Sequence, residues 1–145
     1  MKTSMTLTAA SALAVALCAN AAAAQTVAFL MPDQASTRYE EHDWPGFQAA
    51  MKTECPDCQL IYQNGNGDVA LQQQQFNSVI AQGAKVVVLD PVDSAAAAAL
   101  VEIAHSQDVK VIAYDRLIKG SKNVDYYAAF DNFQVGVLQA QSIEK

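Results

Sequence analysis

An aspartate and an arginine stand side by side at Asp115-Arg116, directly after the apolar run Val111-Ile112-Ala113-Tyr114. Far upstream, Arg38-Tyr39 opens the polar stretch Arg38-Tyr39-Glu40-Glu41-His42-Asp43. Carboxylates accept hydrogen bonds, and guanidinium groups donate them in a planar fork, so together they suit the hydroxyls of a small polar ligand. An aromatic ring offers the apolar face of such a ligand a surface to stack on. A sugar has both kinds of surface. Arg38, Tyr39, Asp115 and Arg116 are therefore candidate ligand-binding residues, with Tyr39 as the platform. Each also has a plainer reading. Asp115-Arg116 alone would be a surface ion pair of little energetic weight, and Tyr39 alone could lie against its loop. Asp90 and Asp93, beside Pro91, read as turn and cap residues, His42 and His105 as surface histidines, and Trp44 as packing at a helix start.

For these residues to meet, the chain must bring three loops to one sheet edge. Thr26 to Met31 is a short apolar run stopped by Pro32-Asp33, a turn signal. A polar loop from Gln34 to Asp43 follows, then a helix from about Trp44 to Glu54 with Pro45 in its first turn. Gln59 to Gln63 reads as a strand closed by Asn64-Gly65-Asn66-Gly67. Asp68 caps a helix that carries Val69, Phe76, Val79 and Ile80 on roughly one face and stops at Gly83, with Gln72 to Gln75 as its solvated face. Lys85 to Leu89 is an uninterrupted apolar run of the kind buried parallel strands use. Asp93 or Ser94 caps a helix carrying Ala96, Leu100, Ile103 and Ala104, and the Val111 strand comes next. After a loop through Gly120, a short strand near Tyr126 to Phe130 leads to a final helix capped at Asp131-Asn132. The alternation predicts an α/β fold, a doubly wound parallel sheet of order 2-1-3-4-5, which binds ligands outside the carboxyl ends of its strands.

The chain has 145 residues, 52% of them hydrophobic, which suits one domain at most. A formal charge of −6 excludes the basic stripe of a nucleic-acid binder. Lys2, the apolar Leu7 to Ala19 and the small residues Ala21 to Ala24 read as a secretory signal peptide over residues 1–24, cleaved between Ala24 and Gln25. Cys18 suggests a lipid anchor as the alternative, but Leu17 precedes it where a lipobox has a small side chain. Removing 24 of the 145 residues, Lys2 among them, leaves an exported chain of 121 with a formal charge of −7. In an oxidising compartment Cys55 and Cys58 read as a disulfide. They follow a helix instead of opening one, which is the wrong place for a redox-active pair. No metal ligand set and no cofactor motif is present: neither histidine has zinc-site spacing, and no Gly-rich phosphate loop or Gly-x-Ser-x-Gly elbow occurs. The sequence stops at Lys145 inside an amphipathic helix, which reads as a fold incomplete at the C-terminus.

Specific motifs add a family resemblance. Tyr114-Asp115-Arg116-Leu117-Ile118, Tyr126-Tyr127-Ala128-Ala129-Phe130-Asp131-Asn132 and Val135-Gly136-Val137-Leu138-Gln139-Ala140 are the main carriers, with Gln82 to Leu89 and Pro91-Val92-Asp93-Ser94 in support. Over residues 26–145 the chain resembles the periplasmic sugar-binding proteins of ABC transporters, in the subgroup of xylose-binding and multiple-sugar-binding proteins. The resemblance implies a type I periplasmic-binding fold, with residues 25–145 forming a truncated N-terminal, flavodoxin-like lobe. It further implies a periplasmic, non-catalytic protein that captures a monosaccharide for a permease and its ATPase, with a chemoreceptor as a further partner. In that family the Asp-Arg after the fourth strand binds sugar hydroxyls, which carries over to Asp115 and Arg116. Arg38-Tyr39 stands where the family has Arg-Trp, a smaller platform, and Asp131-Asn132 takes a structural role. The family closes two lobes on its ligand, and the second lobe's contacts are not in this chain. An exported flavodoxin-like enzyme acting on a sugar is the alternative, though it needs a catalytic pair that the residues do not supply. The sensing domain of a sugar-responsive repressor would need a helix-turn-helix where the signal peptide lies.

Overall fold

The computed structural model describes residues 24–144. The signal-peptide reading, apart from Ala24 and Gln25, and the Cys18 alternative lie outside the described residues. Five strands, β1 (Thr26–Met31), β2 (Gln59–Asn64), β3 (Ala84–Leu89), β4 (Lys110–Tyr114) and β5 (Tyr126–Ala128), form one sheet. Its order is β2-β1-β3-β4-β5 and every pairing is parallel. The helices are α1 (Trp44–Glu54), α2 (Val69–Ala81), α3 (Ala97–Ser106) and α4 (Asn132–Ile143). Because each connection returns the chain to the same end of the sheet, all strand-to-helix turns gather at one edge.

Alternation along each strand divides the core into two. On one side Ala28, Leu30, Val87, Leu89, Val111 and Ala113 meet Phe76 and Val79 of α2 and Leu100 and Val101 of α3. On the other, Phe29, Met31 and Val88 face Tyr39, Trp44, Phe47, Tyr62 and Tyr114. The centre of this second core is aromatic, with the Phe29 and Phe47 rings stacked 4.6 Å apart. β1, an interior strand between β2 and β3, is buried along its whole length, so Val, Ala, Phe, Leu and Met follow one another without polar alternation.

Local chemistry sets the boundaries. Asp68 accepts from the Ala70 and Leu71 amides at 2.8 and 3.1 Å, so α2 starts there. Gly83, at φ +87°, turns the chain out of α2 into β3. Asp93 accepts from the Ala95 and Ala96 amides ahead of α3, and Asp131 from the Gln134 amide at α4. Cys55 and Cys58 are joined across the turn between α1 and β2. In α4, Phe133, Leu138 and Ile143 are exposed.

Two expectations need correcting. Residues 34–43 are not all loop: Tyr39–Asp43 is a wide helical turn that runs straight into α1. Pro45 is the second residue of α1, so its missing amide bond and the crowding of its ring against the carbonyl four residues back both fall on the wide turn and not on regular α-helix. The Gln72 to Gln75 tract is not a wholly solvated face, because Gln72 is 3% exposed. It lies four residues before Phe76, on the same buried face of α2. There its amide donates to the Asp90 carbonyl at 2.9 Å and accepts from the Val92 amide at 2.9 Å. Backbone groups leaving β3 have no ladder partner at that point, and Gln72 satisfies them.

Candidate ligand-binding site

β4 ends at Tyr114, and Asp115 takes up the left-handed conformation at φ +56°, one that aspartate tolerates better than most residues. Its amide donates to the Ala128 carbonyl at 2.8 Å, and the Tyr127 hydroxyl donates to its carbonyl at 3.1 Å. This sharp turn swings the side chains of Asp115 and Arg116 to the carboxyl edge of the sheet.

Arg116 reaches the loops after β1 and β3. Its Nη1 donates to the Pro91 carbonyl at 3.1 Å, and its Nη2 to Asp33 Oδ2 at 3.0 Å and to the Tyr39 hydroxyl at 3.4 Å. Nε lies 3.6 Å from Asp90 Oδ1. Burial opposes the Arg116 charge, but Asp33 and Asp90 more than offset it and raise its pKa. Arg38 donates through Nε to Asp43 at 3.0 Å and through Nη2 to Asp115 Oδ2 at 2.8 Å. Its guanidinium also sits 5.0 Å from the ring centroids of both Tyr39 and Phe130, between two aromatic rings.

The structure thus brings Arg38, Tyr39, Asp115 and Arg116 into one hydrogen-bonded cluster fed from the segments after β1 and β4, with Asp90 and Pro91 of the loop after β3 beside it. Tyr39 has a different place from the stacking platform expected of it. It is 4% exposed and carries Arg38 over its ring, so what it presents to the cluster is its hydroxyl, within 3.4 Å of Asp115 Oδ2. Burial, with the negative field of Asp90, pushes that hydroxyl's pKa up to about 12, so it stays protonated. Phe130, on the other side of Arg38, is an exposed aromatic at the cluster, as is Tyr127 beside Asp115. Trp44 packs within the aromatic core, and His42 and His105 are exposed.

Sequence reasoning missed Asp33 and misjudged Asp90. Asp93 does cap a helix, but Asp90 has no exposed surface, and neither carboxylate oxygen has a hydrogen-bond partner among the described residues. Burial pushes its pKa up to about 7, against the opposing pull of Arg116 and with the help of Asp115. A signal for both was present. Aspartate closes the apolar run of β1, β3 and β4 in turn, at Asp33, Asp90 and Asp115.

A guanidinium has five N–H groups. In Arg116, Nη1 spends one on Pro91, Nη2 serves Asp33 and Tyr39, and Nε faces Asp90, which leaves one Nη1 hydrogen. Arg38 Nη1 has no partner among the described residues. Held donors beside a shared carboxylate match a ligand rich in hydroxyl groups. Among the described residues no group of three or more His, Cys, Asp or Glu is arranged to hold a metal ion.

Comparisons with known proteins agree in kind. A family model described as a periplasmic binding protein domain matches residues 27–145. The chain is 41% identical over 146 residues to the multiple sugar-binding periplasmic receptor ChvE of Rhizobium radiobacter, covering 99% of this chain and 40% of that protein. It is 39% identical over 118 residues to the multiple sugar-binding periplasmic protein SbpA of Azospirillum brasilense, covering 81% of this chain and 32% of that one. A crystal structure of a carbohydrate transporter solute-binding protein from Chloroflexus aurantiacus, in complex with D-glucose, superposes with a TM-score of 0.72 at 36% identity. That match covers 81% of this chain and 34% of the other. The chain therefore spans 40% or less of the length of these relatives.

Proposed function

Since the chain belongs to the periplasmic binding protein domain family, we propose that it forms one wall of a monosaccharide-binding cleft in the substrate-binding component of an ABC-type sugar importer. The observation that carries this reading is the Arg38–Asp115 pair at 2.8 Å beside Arg116, all at the carboxyl edge of a parallel sheet. Arg38 and Arg116 donate to sugar hydroxyl oxygens through their unspent N–H groups, and Asp115 accepts from sugar hydroxyls. Phe130 offers an exposed ring for the sugar's apolar face, and Tyr39 holds Arg116 and Asp115 in place through its hydroxyl. No bond is made or broken in this scheme. Capture is followed by delivery to a membrane permease and its ATPase, with a chemoreceptor as a further docking partner. That relatives of this chain are sugar-binding and periplasmic proteins supports the ligand class and the compartment.

Charge-assisted hydrogen bonds contribute about 1.5–3 kcal/mol each. Arg116→Ala in the full-length protein is therefore expected to weaken monosaccharide binding by at least about tenfold, since 1.4 kcal/mol is a factor of ten. Titration calorimetry against a panel of pentoses and hexoses reads this directly. Unchanged affinity in the variant would remove Arg116 from the site and with it the reading.

A further inference from the structure

Asp90 is the one member of the cluster that no hydrogen bond accounts for. It has no exposed surface, neither oxygen has a hydrogen-bond partner among the described residues, the nearby Tyr39 hydroxyl being engaged with Asp115 and Arg116, and its counter-charge, Arg116 Nε, stands 3.6 Å away, beyond hydrogen-bond length. We propose that capture of a neutral ligand at the Arg38–Asp115–Arg116 cluster is coupled to uptake of a proton by the Asp90 carboxylate. This rests on the ligand-binding reading above.

Charged groups face Asp90 from two segments. From the segment after β1 come Asp33, Arg38 and the tyrosine hydroxyl of Tyr39, and after β4 come Asp115 and Arg116. From α2 comes only the uncharged Gln72, bonded to the Asp90 backbone carbonyl. Both guanidinium groups already have carboxylate partners at hydrogen-bond distance, Arg116 in Asp33 and Arg38 in Asp43 and Asp115. The Asp90 carboxylate is thus a surplus negative charge in a dry place, which is expensive unless it is paired and hydrogen-bonded.

The Asp90 oxygens touch no solvent, whereas Arg116, the cation facing them at 3.6 Å, is 36% exposed and in contact with water. A ligand lying over Arg116 displaces that water and draws on the same positive charge. Asp90 then loses compensation while Asp115 still repels it. The neutral acid becomes the favoured form, and the proton comes from solvent. Burial has already raised the carboxyl to about 7, so a further rise on capture falls where neutral solutions report it. Affinity should drop as pH climbs through and above that value, by about tenfold for each unit by which capture raises the Asp90 pKa.

The test is calorimetry of the full-length protein with a neutral monosaccharide at pH 7.5, in buffers of different ionisation enthalpy. The expected result is a buffer-dependent heat equal to net uptake of a fraction of a proton, absent in Asp90→Asn. Binding with no proton uptake in the unsubstituted protein, or with the same uptake in Asp90→Asn, overturns the inference and leaves the sugar-binding reading intact. Absence of binding by every sugar overturns both. Should Asp90→Asn fail to fold, carbon-13 NMR of the Asp90 carboxyl decides: its titration midpoint rises on adding sugar, and an unmoved midpoint overturns the inference.

Discussion

Replacing Gln72 by leucine tests whether the site edge is held as described. The change roughly preserves volume but removes the donor to the Asp90 carbonyl and the acceptor of the Val92 amide, both at 2.9 Å. A buried backbone group left without a partner costs about 1–3 kcal/mol. Two such groups set the loss at about 2–6 kcal/mol, and the lower half applies because Val92 is only half-buried and the leucine recovers about 1 kcal/mol by its own burial. Gln72→Leu should therefore destabilise the protein by about 3 kcal/mol, which for a domain of this size lowers Tm by about 10 °C. Urea and thermal unfolding followed by circular dichroism measure it, with Gln74→Leu as the control. Gln74 is exposed on the same helix, so its substitution should change stability by less than about 0.5 kcal/mol. Equal effects of the two substitutions, or a loss below about 1 kcal/mol for Gln72→Leu, would refute the reasoning.

Two further outcomes follow from buried charge and from the cross-link. Folded Asp90 holds its proton to about pH 7, while the unfolded chain releases it near the ordinary carboxylate value of about 3.9, so the stability it contributes is fully present below about pH 4 and is lost as pH rises to about 7. Asp90→Asn removes this slope, so the unfolding free energies of the two proteins from urea titrations should diverge by up to about 4 kcal/mol between pH 4 and 8, and parallel curves would contradict the assignment. The Cys55–Cys58 bond closes a loop only three residues apart in sequence, so the Cys55→Ser/Cys58→Ser double variant should lose no more than about 2 kcal/mol by thermal unfolding, and a larger loss would mean the cross-link does more than constrain the unfolded chain.

The order of strands and helices was legible because each signal is local. Apolar runs without alternation mark strands buried on both faces, and Asp68, Gly83 and Asp131 mark ends where a backbone amide needs an acceptor or the chain must turn left-handed. Right-handed crossovers then leave little choice of sheet order, and the observed β2-β1-β3-β4-β5 is the one the alternation predicts. The four candidate residues could be named from their types and from their places after strands.

What no local pattern carries is the direction in which a side chain faces once the loops converge. Tyr39 looked free to stack, yet the turn ahead of α1 buries its ring under Arg38 and leaves the hydroxyl to the cluster. Gln72 and Asp90 looked like surface and turn residues, because composition assigns polar side chains to solvent. Their burial follows from contacts across 18 and more residues: α2 lies over the ends of β1 and β3, and Arg116 arrives from β4 to cover the carboxylate. Sequence alone determined which residues stand at the carboxyl edge. Only the tertiary packing decided which of them meet solvent and which sit dry beneath it, because burial of a polar group depends on neighbours that the chain supplies from far away.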